Sequence, residues 1–173
     1  MPKKIKSDSP MQHALIYLSS KARTIREMED YLDSKKYGEF EVYNAVEQLK
    51  ELGYLNDERY AQDFISSRLA TKPLSRRKLK EQLYEHRVPA DIIDDALAAI
   101  TEQDERSNAK LVAAKFDRQF GALEEHERKQ RVIKRLAGRG FDYPTIREAC
   151  AALYDGDEDI EMFDGEADEL EDE

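Results

Sequence analysis

One spacing of apolar residues occurs three times in this chain. From Leu32, apolar residues follow 10, 14 and 17 positions later, and the same offsets hold from Leu83 and from Leu136. A further apolar residue precedes each of these anchors by four positions. The anchors lie 51 and 53 residues apart, and matched core positions at such a period indicate a repeated supersecondary unit. The positions are Met28, Leu32, Val42, Val46 and Leu49 in the first copy, Leu79, Leu83, Ile93, Leu97 and Ile100 in the second, and Val132, Leu136, Ile146, Cys150 and Leu153 in the third.

Local signals predict three helices in each copy. Glycine and proline fall between the periodic segments, and no stretch shows the alternation of a half-buried strand. Thr24 with Glu27 forms a capping box, and Ser75 stands where it can cap another helix. Gly53 follows a helical segment, where glycine supplies a left-handed stop, and Gly138 and Gly140 are expected to end the middle helix of the third copy. The expected fold is all-α, with three tandem three-helix repeats forming an elongated body.

The charge distribution separates this body from the C-terminal segment. The whole chain carries a net charge of −10, but residues 155–173 hold twelve acids and no base. The remaining residues therefore contain 26 acids and 28 bases. We predict a flexible basic N-terminus at 1–9, three-helix repeats at 10–55, 56–101 and 102–154, and an acidic disordered tail at 155–173.

Composition favours an intracellular protein. Cys150 is the single cysteine, which excludes an internal disulfide framework and suits a reducing compartment. No apolar run approaches the roughly 20 residues of a membrane span, and the N-terminal lysines precede no apolar signal segment. We expect a soluble, cytoplasmic protein with no membrane contact.

The sequence offers no candidate catalytic or metal site. His13, His86 and His126 are scattered over different repeats, and none has a second ligand at metal spacing. Cys150 occupies the repeated core position of Val46, so we expect it to be a small core hydrophobe. Phosphate-binding glycine loops and nucleophile elbows are missing. We therefore expect neither an enzyme nor a cofactor or metal.

Two runs of basic residues are the more informative feature. Seven bases and only two acids lie between Arg68 and Arg87, and a second run extends from Arg128 to Arg139 without an acid. Cations in the first turn of a helix oppose the helix dipole by about 0.3–1 kcal/mol each, so stability alone does not select Arg76 and Arg77 after Ser75. Such a strip can bind phosphate, nucleic acid or an acidic protein surface. The alternative is an ordinary solvated face, and the two strips need not be continuous.

Three-helix units with a basic helix are also found in helix-turn-helix DNA readers. Few Asn or Gln residues stand where a recognition helix would read base edges. Contacts with a nucleic-acid backbone or a protein are therefore favoured over sequence-specific readout.

The junction of the first two repeats resembles the RecX family. The chain there reads Gly53-Tyr54-Leu55-Asn56-Asp57-Glu58-Arg59-Tyr60-Ala61, and Pro73-Leu74-Ser75-Arg76-Arg77-Lys78-Leu79 is similar to the next recognisable segment of that family. The resemblance spans about residues 11–154. It implies tandem three-helix repeats and a bacterial cytoplasmic regulator of the RecA recombinase. Members of the family bind the RecA filament on single-stranded DNA and limit its growth, ATP hydrolysis and strand exchange.

The resulting interpretation is a monomeric regulator whose partners are the RecA filament and single-stranded DNA, bound directly or through RecA. The alternative is a helical DNA-binding or adaptor protein unrelated to RecA. An acidic tail that competes with DNA for the basic strips is a further hypothesis, against a purely solubilising segment. The residues expected to contact the partner are Arg68, Lys72, Arg76, Arg77, Lys80 and Tyr84, supported by Arg131, Lys134 and Arg135.

Overall fold

The structure is a computed structural model, and it describes residues 9–154. Over this range it contains helices and no strand, so the all-α prediction is confirmed. The predicted N-terminal segment, apart from Ser9, and the predicted tail lie outside the described residues. The helices are α1 (Pro10–Leu18), α2 (Ile25–Ser34), α3 (Glu39–Glu51), α4 (Asp57–Thr71), α5 (Arg76–Glu85), α6 (Ala90–Ala98), α7 (Glu102–Gln119), α8 (Glu125–Gly138) and α9 (Tyr143–Ala151).

The described residues form two compact units. Unit 1 contains the residues up to Phe64 together with Gln82–Ala96, and unit 2 contains Ile65–Glu81 together with the residues from Leu97 onward. Helices α4, α5 and α6 each contribute residues to both units. The repeat boundaries predicted from the sequence stay a prediction. None of the described helices combines the length and the hydropathy that a membrane crossing requires.

The repeated apolar positions form the core. In unit 1, α1, α2 and α3 pack around a cluster that includes Met28, Leu32 and Leu49. In unit 2, α7, α8 and α9 pack around a second cluster that includes Val132 and Leu136. All three anchors and the residues four positions before them are fully buried. Burial of this matched set provides most of the hydrophobic driving force that the period predicts.

One repeated position was predicted wrongly. Leu49 and Ile100 are buried, but Leu153 at the same position is 37% exposed. Leu153 lies just beyond α9, where its neighbour Tyr154 is 6% exposed and belongs to the core cluster of α7–α9. The third copy therefore fills this site with a tyrosine one position later.

Residues from later in unit 1 make hydrogen bonds with the N-terminal turn of α2. Thr24 makes the predicted capping box with Glu27, and its hydroxyl donates a 2.7 Å hydrogen bond to the carbonyl of His86. The amide of Ile25 donates to Asp57 Oδ1 at 2.9 Å. His86 Nδ1 also lies 2.9 Å from Glu27 Oε1. These contacts satisfy amides that the first turn of a helix leaves without partners.

The N-terminal turn of α5 likewise makes hydrogen bonds with later residues of unit 2. The amide of Ser75 donates to the carbonyl of Arg139 at 3.0 Å, and the amide of Arg76 donates to Glu105 Oε1 at 3.0 Å. The Ser75 hydroxyl accepts from the amide of Lys78, as its predicted capping role requires. We call the bonds of Thr24, Ile25 and Glu27 to His86 and Asp57 the α2 cap contact. The bonds of Ser75 and Arg76 to Arg139 and Glu105 are the α5 cap contact.

Asp57 gives a test of the α2 cap contact. Burial raises the pKa of Asp57, and the hydrogen bond from Ile25 opposes this shift only in part. Asp57→Ala removes the acceptor and is expected to lower the free energy of unfolding by about 1–2 kcal/mol. Asp57→Asn keeps an acceptor without the buried charge. Urea denaturation of both variants measures the difference.

The sign of the pH dependence follows from the raised pKa. Folded Asp57 retains its proton to a higher pH than the unfolded chain does, so its contribution to stability falls as pH rises from about 4 through the folded pKa. The stability of Asp57→Asn relative to the original chain should therefore increase over that window. A constant difference between pH 3 and pH 7 would contradict this assignment.

Candidate interaction surface

The turn that follows α8 joins the two basic runs within unit 2. The guanidinium of Arg139 donates to the carbonyl of Pro73 at 3.3 Å, and that of Arg77 donates to the carbonyl of Gly140 at 3.4 Å. The Ser75–Arg139 bond of the α5 cap contact lies between them. We call this group the α5–α8 junction, formed by Pro73, Ser75, Arg77, Arg139 and Gly140. It places the start of α5 against the end of α8.

Close backbone approach at this junction depends on Gly140. Its φ is +85°, a left-handed value that other residues adopt at a cost. A Cβ on Gly140 would lie 2.5 Å from Ser75 Oγ and 2.8 Å from Lys78 Cβ. Sequence reasoning assigned Gly140 only the end of a helix. The repeat does contain a signal for this backbone conformation. Lys36, Arg87 and Gly140 each follow the anchor leucine of their copy by four residues, and all three have positive φ.

Three arginines on and just beyond α8 extend the positive surface from the junction. Arg131, Arg135 and Arg139 are spaced four residues apart and therefore share one side. The guanidinium of Arg131 lies 5.9 Å from the ring centre of Phe120, and those of Arg135 and Arg139 lie 5.4 and 5.2 Å from that of Phe116. We call these three residues the arginine row. Each guanidinium lies within the range of a cation–π contact with its ring, and Arg131 and Arg135 keep some exposure whereas Arg139 is buried.

The predicted contact residues of α5 have different structural roles. Arg77 is exposed, but its guanidinium also pairs with Glu81 Oε1 at 2.6 Å, so it supports the junction as well as carrying charge. Arg76 and Lys80 are half-buried. Tyr84 is 46% exposed and belongs to unit 1, whereas the predicted basic residues belong to unit 2.

The remaining predicted residues also lie in unit 2. Arg68 on α4 and Lys72 just after it are half-buried. Arg131 is exposed and pairs with Glu127 at 2.9 Å, Arg135 is half-buried, and Lys134 is exposed about 100° around α8 from Arg135. Arg139, which was not among the predicted contact residues, is 5% exposed and joins the two basic runs.

Two features predicted from the sequence concern metal binding and the single cysteine. Within residues 9–154, no group of three or more His, Cys, Asp or Glu side chains is placed to hold a metal ion. Cys150 is 2% exposed in the core of α7–α9, which confirms its interpretation as a core residue. Burial raises the pKa of its thiol to about 11, so the thiol stays protonated near neutral pH. What the surface offers is positive charge on a helical scaffold.

Over the described residues, the fold and this surface define an all-helical protein with a cluster of basic side chains on unit 2. Models of the second and the third three-helix domain of RecX match residues 56–97 and 103–150, respectively. The chain belongs to the RecX family.

Individual relatives agree with this assignment. The chain is 32% identical over 165 residues to the regulatory protein RecX of Lactobacillus gasseri, covering 93% of this chain and 61% of that protein. It is 32% identical over 143 residues to the regulatory protein RecX of Chlorobaculum tepidum, covering 83% of this chain and 87% of that protein. The crystal structure of RecX from Lactobacillus salivarius has the same fold, with a TM-score of 0.68 at 24% identity over 83% of this chain and 94% of that one.

Proposed function

We propose that this chain regulates the RecA filament on single-stranded DNA, limiting filament growth, ATP hydrolysis and strand exchange. Membership in a family of regulatory proteins supports the regulatory role. The partner is proposed from the sequence resemblance and from the charge of unit 2. The protein acts by binding, without chemistry of its own.

The α5–α8 junction is the observation that carries this proposal. It brings parts of the two basic runs to one place in unit 2 through bonds between residues 63 and 66 positions apart in the chain. A fixed cluster of cations attracts a polyanion or an acidic protein surface more strongly than the same charges dispersed along a flexible chain. A nucleoprotein filament presents both kinds of surface, namely DNA phosphates and protein.

The contacts also decide which residues can test the proposal. Charge reversal at Arg76, Arg77 and Lys80 would be a poor test, because reversal of Arg77 also removes its bonds to the Gly140 carbonyl and to Glu81. Arg131 and Lys134 are exposed and lie outside the junction, and the pair that Arg131 forms with Glu127 is a surface i,i+4 contact of the kind that contributes little to stability. Their neutralisation therefore leaves the junction in place.

ATP hydrolysis by RecA on single-stranded DNA tests the function directly. We expect inhibition by the unaltered chain at well below one molecule per RecA subunit. The double variant Arg131→Gln/Lys134→Gln should require several-fold more protein for the same inhibition, because each lost cation weakens a polyanion contact. Lys115→Gln/Arg118→Gln, which removes two exposed cations from α7 in unit 2, is the matched control.

Two outcomes would change the interpretation. Absence of inhibition by a folded protein that still binds DNA alone would favour a helical DNA-binding or adaptor protein. Equal inhibition by the double variant and the control would remove this part of α8 from the contact. The predicted monomeric state can be measured on the same preparation by sedimentation.

A further inference from the structure

The last described residue is fixed to unit 2 by a buried polar contact. Tyr154 is 6% exposed, and its hydroxyl donates a 2.8 Å hydrogen bond to Asp117 Oδ1. The same oxygen lies 2.9 Å from Nε of Arg128. Burial, with the bond to Asp117, raises the pKa of Tyr154 far above its usual range, so the hydroxyl keeps the proton it donates. The segment that follows therefore starts at a defined place beside the first turns of α8.

That starting point lies close to the arginine row. Arg131 and Arg135 follow Arg128 on α8 by three and seven residues, which corresponds to about 4.5 and 10.5 Å along the helix axis. Arg139 continues the row beyond the end of the helix. A segment leaving Tyr154 therefore begins within about two helical turns of Arg131 and Arg135.

The composition of residues 155–173 complements this surface. These 19 residues contain twelve acids and no base, whereas the row offers two accessible positive charges, because Arg131 is exposed and Arg135 is half-buried but Arg139 is buried. A segment of this length can extend to about 60 Å, and a flexible one has a mean end-to-end distance of about 24 Å. Both lengths exceed the axial separations of about 4.5 and 10.5 Å between Arg128, which shares Asp117 with Tyr154, and the two accessible members of the row. Tethering makes the effective local concentration of such a segment on the order of millimolar.

We propose that residues 155–173 bind intramolecularly to the arginine row and compete there with the anionic partner. The occupant is this segment of the chain, because it is the strongly acidic segment nearest to the row in sequence and is long enough to reach it. The contact itself does not depend on which partner the protein regulates. The competition rests on the proposed function, in which the same surface meets a nucleoprotein filament.

The contact can be observed without any partner. In the full chain, NMR resonances of the Arg131 and Arg135 Nε–H groups, assigned through the single Arg→Gln variants, report on charge close to each guanidinium. A tail-neutral variant has every Asp of 155–173 replaced by Asn and every Glu by Gln. We expect these resonances to differ between the two proteins at low salt, to converge at high salt, and to be independent of protein concentration. Arg118 should show no difference.

The consequence for binding is measured with a fluorescent oligo-dT strand. Neutralising the tail is expected to raise affinity about five- to tenfold at 50 mM salt, with the difference shrinking as salt screens both contacts. In the Arg131→Gln/Arg135→Gln background, tail neutralisation should have little further effect, because the tail and the row then no longer interact.

Several outcomes would overturn the proposal. Unchanged arginine resonances would show that the tail does not occupy the row, and shifts that grow with protein concentration would show contact between molecules. An equal affinity gain in both backgrounds would show that the tail acts only through net charge. If the resonances shift but the protein leaves RecA hydrolysis unaffected, the tail contact stands and the proposed function fails.

Discussion

Gly140→Ala is expected to lower the free energy of unfolding by about 3 kcal/mol. The left-handed backbone at this position costs a residue with a Cβ about 1–2 kcal/mol. The added Cβ would also meet Ser75 Oγ at 2.5 Å and Lys78 Cβ at 2.8 Å. Because Lys78 Cβ is attached directly to the backbone, α5 itself would have to shift. Overpacking of this kind typically costs a further 1–3 kcal/mol or so. Urea denaturation followed by circular dichroism gives the change.

Alanine substitutions at two other glycines separate the cost of the left-handed backbone from the cost of the steric overlap. Gly53 has a φ of +73° with nothing within 4 Å of an added Cβ, and Gly138 has neither positive φ nor a close neighbour. We expect Gly53→Ala to cost about 1 kcal/mol, and Gly138→Ala to be neutral or slightly stabilising. If Gly140→Ala cost no more than Gly53→Ala, the close approach at the α5–α8 junction would not be a feature of the protein in solution.

Leu49→Ala is expected to destabilise the chain by about 2–5 kcal/mol, whereas Leu153→Ala should cost less than about 1 kcal/mol. The two residues occupy the same position of the repeated spacing. Leu49 is fully buried among α1–α3, and Leu153 is 37% exposed. Truncating a leucine to alanine in a packed core loses the transfer free energy of the buried methyl groups and also leaves a cavity. Truncating a partly exposed leucine loses only part of the transfer free energy and leaves no cavity.

The denaturation midpoints of these two variants provide the measurement. An unchanged slope of the unfolding free energy against denaturant concentration, the m-value, checks that only stability changed. Tyr154→Leu is a useful companion, because it keeps an apolar side chain but removes the bond to Asp117. Similar costs for Leu49→Ala and Leu153→Ala would mean that the third copy packs like the first, contrary to the exposure of Leu153.

The core could be predicted from the sequence because it depends on local periodicity. Helical spacing fixes which side chains share a face, so the anchors and most of their partners were identified without coordinates. The burial of Leu153 was predicted wrongly because this residue lies past the end of α9, where helical spacing no longer determines which side chains share a face. Capping roles were also predictable, since Thr24 and Ser75 act on amides three residues away.

The candidate surface was predictable in composition but not in arrangement. Both basic runs are visible in the sequence, yet their meeting depends on carbonyls of Pro73, Arg139 and Gly140. Every peptide carries a carbonyl, so such bonds leave no signature in residue type. The structural role of Arg77 was hidden for the same reason, and the buried Arg139 resembled any other cation of its run.

The two cap contacts also bear on how the chain folds as it leaves the ribosome. Thr24 bonds to a carbonyl 62 residues further along the chain, and Ser75 bonds to one 64 residues further along. Synthesis at about 5–20 residues per second therefore separates each helix start from its closing group by several seconds. During that interval, helices α2 and α5 lack these bonds from later residues. Each helix is completed only by a segment made after it, so a nascent chain that ends between residues 34 and 138 carries at least one helix whose bonding partner has not yet been synthesised.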